Sequence, residues 1–125
     1  MDAVTVYLVD EDNIFKGIGT VLSNQATPDM ITVAPPVYSI DRGHHARWVN
    51  GSWVIELSPA GISDLWASIR KQRDSLLAAT DWTQLADVKL TNAQLTAVTA
   101  YRTALRNIPQ TYPDPTTVVW PTKPI

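Results

Sequence analysis

Two adjacent histidines, His44 and His45, and the acidic run Asp10-Glu11-Asp12 are the residues whose types could ligate a metal or move a proton. A helical metal pair needs spacing such as i to i+4, which brings both rings to one face, and a catalytic zinc needs a third ligand. Neighbours on a strand point to opposite faces, so His44-His45 reads as a surface turn. A calcium loop alternates oxygen ligands around a central glycine and ends in a distant glutamate. Here Ile14 and Phe15 follow directly, which makes the acidic run a solvated hairpin turn. The chain has no cysteine, which excludes disulfides, thiolate metal sites and a cysteine nucleophile. Gly17-Ile18-Gly19 lacks the third glycine and following helix of a dinucleotide fingerprint. A serine triad would have to use His44 or His45, and nothing local supports one. The sequence therefore assigns no catalytic, cofactor-binding or metal residue, and the expectation is a protein that is not an enzyme.

Binding chemistry is better represented, in Trp48, Trp53, Trp82, Arg102 and Arg106. In Arg47-Trp48-Val49-Asn50-Gly51-Ser52-Trp53-Val54, Asn-Gly suits a two-residue type I′ turn because both central residues need positive φ. That loop sets Val49 against Ser52 and Trp48 against Trp53. The paired indoles are either a docking platform or a lock on the hairpin worth roughly 0.2 to 1 kcal/mol. Arg102 and Arg106 are four apart and share a helix face. With Arg70 and Arg73 they form either a partner-binding surface or, with Asp74, Asp81 and Asp87, ion pairs that tie helices to their connection. Trp82 caps the end of a helical pair or anchors a partner.

The elements that must position these residues separate near Leu57 to Gly61. Before that point the chain reads as β-structure: Val4–Val9 and Ile14–Ile18 flank the acidic turn as a hairpin. Ser23–Pro36 is a linker with one short edge strand at Met30–Val33, because Pro35-Pro36 cannot serve a central strand. After Ser58-Pro59 the period becomes helical. Ser58 and Ser63 are candidate caps, and Ile62, Leu65, Trp66, Ile69, Leu76 and Leu77 form a stripe ending near Thr80. Thr91 and Gln94 fit a capping box, and Leu95, Val98, Tyr101, Leu105 and Ile108 continue as a second stripe that Pro109 terminates. The short connection makes the helices antiparallel neighbours. Pro109, Pro113, Pro115, Pro121 and Pro124 then impose an extended tail, which Tyr112, Val118, Val119 and Trp120 make apolar enough to pack back across the helices. The fold class is α+β, with residues 1–58 as an antiparallel β-hairpin region and residues 59–125 as a helical hairpin with a proline-rich strap.

A chain of 125 residues, 45% hydrophobic and 18% charged, holds one ordinary domain or two small ones and is not disordered throughout. Its net charge of -2 and lack of a basic run exclude a nucleic-acid binder that works by neutralising phosphates. The acidic start without an apolar stretch predicts no cleaved signal, and no apolar run reaches the roughly 18 residues of a membrane span.

Taken in order, Arg73-Asp74, Leu76-Leu77, Thr80-Asp81-Trp82, Asp87, Tyr101-Arg102, Leu105-Arg106, Pro113 and Trp120-Pro121 resemble the C-terminal domain of phage tail assembly chaperones, also called tail-fibre assembly proteins. The likeness spans about residues 70–121. It implies a chaperone acting in the host cytoplasm that binds a trimeric phage tail fibre protein and assists its folding, trimerisation or attachment. A structural tail component retained on the fibre or baseplate is the alternative it implies. Ala34-Pro35-Pro36 followed by Trp48-x-x-Gly51-x-Trp53 is similar, more loosely, to short β-segments of fibres and their chaperones. Residues 1–58 are accordingly the expected fibre-contacting part.

Overall fold

The computed structural model describes residues 2–40 and 42–125. Contacts divide the chain into two compact units, Met1–Gly61 and Ile62–Ile125. The α+β class holds, with two antiparallel hairpins followed by two main helices.

In the first unit β1 (Ala3–Val9) pairs with β2 (Phe15–Leu22). The Asp10 carboxylate turns the chain between them by accepting the N–H groups of Asp12 and Ile14 at 2.9 and 3.0 Å. Asn13, at φ 64, supplies the left-handed residue. The second hairpin joins β3 (His44–Val49) to β4 (Ser52–Leu57) in the register the Asn-Gly turn dictates, with Val49 opposite Ser52 and Trp48 opposite Trp53. Asn50 at φ 51 and Gly51 at φ 83 are both left-handed, as a type I′ turn requires. The hairpins meet at an antiparallel bridge between Ile14 and Arg47, where the Trp48 N–H donates to the Asn13 carbonyl at 2.9 Å.

Two local expectations are corrected here. Met30–Val33 forms no strand: only the Ile31 carbonyl meets the edge of β1, accepting the Tyr7 N–H at 2.9 Å. The prolines that follow cannot extend a ladder. His44 and His45 are not in a turn but open β3, because the backbone turn lies earlier, where the Gly43 N–H donates to the Ile40 carbonyl at 2.9 Å.

Helix α1 (Pro59–Ala79) begins at Ser58, whose hydroxyl accepts the Gly61 N–H at 3.1 Å and donates to the Gly43 carbonyl at 2.9 Å. Ser63 lies inside the helix. Gly61, in the first turn of α1, packs against the backbone of Gly43. A Cβ on it would sit 2.2 Å from the Gly43 carbonyl oxygen, and one on Gly43, at φ +77, would sit 2.5 Å from the Gly61 Cα.

In the second unit α2 (Asn92–Arg106) starts in the expected capping box. The Gln94 N–H donates to the Thr91 hydroxyl at 3.1 Å and the Thr91 N–H to the Gln94 side chain at 2.9 Å. Ile69, Tyr101, Leu105 and Ile108 are the buried centre, with Leu65, Trp66, Leu76 and Leu77 packed around it. Ile62 and Leu95, at the ends of the two stripes, are exposed. Arg102 meets the end of α1 while the earlier Ile69 clusters with the later Leu105 and Ile108, so contacts run in opposite directions along the helices, as in an antiparallel pair.

The tail also differs from the expectation. Helix α2 stops at Arg106, and Ile108 to Thr111 form a separate single turn, α3, with Pro109 in its first positions. Proline is accommodated there because the missing N–H has no helical partner to lose. A 3-10 turn at Pro115–Thr117 interrupts the strap, capped by Asp114, whose carboxylate accepts the Thr116 N–H at 2.9 Å. Val118 and Trp120 then pack onto the core as expected, and the Tyr112 hydroxyl donates to the Val119 carbonyl at 3.2 Å.

Candidate functional site

The binding candidates fall into two groups, one in each unit. In the first, the Trp48 and Trp53 rings stand 5.0 Å apart at 68°, an edge-to-face contact favoured by the ring quadrupoles. Trp53 meets Phe15 edge-on at 5.9 Å, and Phe15 reaches Tyr7 at 6.4 Å, so a chain of rings crosses from one hairpin to the other. The Trp53 indole N–H donates to the Val33 carbonyl at 2.7 Å. Both tryptophans are half-buried on the hairpin face that also carries fully buried Ala46. Their contacts hold the β-unit together; part of each ring still reaches solvent.

The other face of this hairpin is charged. Glu56 lies across from His45 and diagonal to Arg47. Its carboxylate is 2.9 Å from His45 Nε2 and 2.9 Å from Arg47 Nε, and accepts from Arg47 Nη2 at 3.0 Å. The bond with His45, opposed by partial burial and reinforced by Arg47, holds the Glu56 carboxyl below the ordinary carboxylate range.

In the second unit Arg102 is a structural hub. It donates through Nη1 to the Leu77 carbonyl at 2.8 Å and to the Thr80 hydroxyl at 2.9 Å, and through Nη2 to Asp81 at 2.9 Å. Its side chain is 11% exposed. The Leu77 carbonyl, among the last of α1, also accepts the Thr80 N–H at 3.0 Å and the Thr80 hydroxyl at 3.1 Å, so this guanidinium reinforces a helix end that Thr80 already closes. Thr80 and Thr83 are buried beside it, with the Thr83 hydroxyl donating to the Thr80 carbonyl at 2.6 Å. Sequence reasoning placed Arg102 and Asp81 in a wider set of possible ion pairs and gave Thr80 and Thr83 no part in it. The available signal was the run Thr80-Asp81-Trp82-Thr83, whose short polar side chains suit a helix end.

The remaining arginines do not form the expected network. Arg73 pairs with its neighbour Asp74 at 3.0 Å, Arg70 lies over the Trp66 ring at 5.7 Å, and Arg106 is exposed without an ion pair among the described residues. Trp82 is 44% exposed, and Leu85, one turn along, is more so. Trp82, Leu85 and Arg106 are thus among the exposed groups of this unit, with Leu95 and Val119. The candidate arginine pair is split: one member is committed to the fold and the other faces water.

Residues 66–125 match the family model described as phage tail assembly chaperone protein. The C-terminal part of the chain is thus similar to the phage tail assembly chaperone family. No curated protein and no solved structure matches the chain. Thr80, Asp81 and Arg102, three of the residues that carry the sequence resemblance, meet at one point of this unit, and Trp120 packs onto its core. Among the described residues no cluster of three or more histidine, aspartate or glutamate side chains could hold a metal ion, and no helix is long and apolar enough to cross a membrane.

Proposed function

We propose that the chain binds a phage tail fibre protein in the host cytoplasm and covers apolar or strand-edge surface on it until trimerisation buries that surface. The chaperone-family match over residues 66–125 carries this reading. Such a role needs no nucleotide, because a ligand that binds the assembly-competent state more tightly shifts the population toward it. The exposed Trp82 and Leu85 have the apolar character of interface anchors, and Arg106 is exposed in the same unit. In the β-unit the solvent-facing part of the Trp48-Trp53 pair is the second contact.

Co-expression of the neighbouring fibre gene with and without this chain tests the proposal. Soluble, trimeric fibre is expected only, or far more abundantly, when the chain is present; equal yields would sink it. The double variant Trp82→Ala with Leu85→Ala is expected to fold and to lose fibre rescue. Mass spectrometry of purified virions separates a transient chaperone from a component that stays on the fibre or baseplate.

A further inference from the structure

The β1–β2 hairpin leaves one edge of β2 open. In β1 the Tyr7 N–H is turned away from β2, because it donates to Ile31. Tyr7 is paired with Ile18, and in an antiparallel ladder both members of such a pair point their backbone groups outward. The alternation turns Thr20 and Leu22 outward as well. The same parity appears at the hairpin's end, where the Ser23 N–H donates to the Asp2 carbonyl at 2.9 Å. Among the described residues, no backbone bond from outside the hairpin reaches Ile18, Thr20 or Leu22; the contact with β3 lies earlier, at Asn13 and Ile14.

Charged side chains, proline and bulges normally blunt an open strand. In β2 they are confined to its start, where Lys16 is the extra residue opposite Leu8 and Val9, and from Ile18 to Leu22 there is none of them. Ile18 is 65% exposed and Leu22 43%, on the same face as exposed Thr20.

We propose that β2 is an interface between two copies of this chain, paired antiparallel across a two-fold axis at Thr20. In that register Thr20 faces its own copy, Ile18 faces the partner's Leu22, and Leu22 faces the partner's Ile18. All three are outward-pointing positions, so each pair exchanges backbone hydrogen bonds while apolar side chains meet across strands. The paired stretch from Ile18 to Leu22 carries no charge, so no like charges are opposed, and Lys16 at the bulge lies outside it. Centring on Ile18 instead would place Leu22 against Ile14, which is already bridged to Arg47. Centring on Leu22 would run Ile18 past the end of the strand. The two-fold arrangement is self-complementary and closed, each β2 edge being consumed by the other.

The cysteine-free chain makes single-cysteine variants clean reporters. Directly opposed residues lie roughly 5 Å apart between Cα atoms, within disulfide reach. Under mild oxidation Thr20→Cys is expected to give a covalent dimer, whereas exposed Ala78→Cys on α1 is not. Ile18→Cys and Leu22→Cys are each expected to cross-link weakly alone and strongly when mixed. Sedimentation of the unmodified chain should show a dimer that Thr20→Pro converts to monomer with an unchanged circular dichroism spectrum, because that N–H plays no part in pairing with β1. Should this variant unfold, Ile18→Glu provides the same reading. A monomeric unmodified chain, equal cross-linking of Thr20→Cys and Ala78→Cys, or a dimer that survives a folded Thr20→Pro or Ile18→Glu variant overturns the proposal. So does a chain that stays monomeric until a fibre strand takes the edge.

Discussion

The two units reach a fold by different means. The second concentrates its apolar burial: Leu105, Ile108, Tyr101 and Ile69 form one cluster ringed by side chains from α1 and the strap. The first buries few apolar side chains outright, among them Val6, Ile31 and Ala46, and relies on turn geometry, cross-strand pairs and a glycine–glycine contact. A helical stripe collects its apolar residues on one side, where a neighbouring helix can cover them together. A two-stranded hairpin divides its side chains between two faces and covers neither by itself. The chaperone-family match falls on the unit with the concentrated core.

The sharpest way to break this contrast is Leu105→Ala. Leu105 is fully buried, and truncating such a leucine costs about 2–5 kcal/mol, so hydrogen exchange should lose its slowest amides in residues 62–125. Protection in that unit that remains unchanged would mean its core is not where the stability lies. Next comes Gly61→Ala, expected to cost about 1–3 kcal/mol through forced overlap with Gly43. Exchange across β3 and β4 should accelerate; an unaltered hairpin would remove the glycine contact from the account of the first unit.

A smaller effect is expected for the tryptophan pair. A double-mutant cycle on Trp48→Ala and Trp53→Ala should return a coupling of about 0.5–1.5 kcal/mol. A coupling near zero would mean the indoles are individually packed rather than paired.

The smallest expected effect is on acid stability. Because the folded Glu56 carboxyl is depressed below its ordinary value, its contribution is fully present above the unfolded carboxylate pKa and is lost as pH falls through the folded one. Thermal unfolding followed by tryptophan fluorescence should therefore drop with acidification over that window, and Glu56→Gln should flatten the drop. Identical pH profiles would assign the acid response elsewhere.

Local patterns were legible wherever the cause is local. The capping box at Thr91 and Gln94, the Asn50-Gly51 turn with Trp48 opposite Trp53, and the end of α1 before Thr80 all follow from interactions within a few residues. Periodicity found most of the helical core but overreached at Ile62 and Leu95, since a stripe continues in the sequence even where no partner covers it. Of the site candidates, the pairing of Trp48 with Trp53 was readable, whereas the separate fates of Arg102 and Arg106 were not. Four residues apart on one helix, they look alike until the end of α1 is placed beside one of them.

The sequence by itself determined which segments become hairpins and helices, where they cap and turn, and which chemistries are absent, because propensity, period and composition act over short range. Only the tertiary structure decided that Gly61 is a packing requirement of Gly43, that Thr80 and Thr83 are buried around Arg102, and that the outer edge of β2 is open. Each of these depends on what a distant segment brings to within a few ångströms, and no local pattern records that distance.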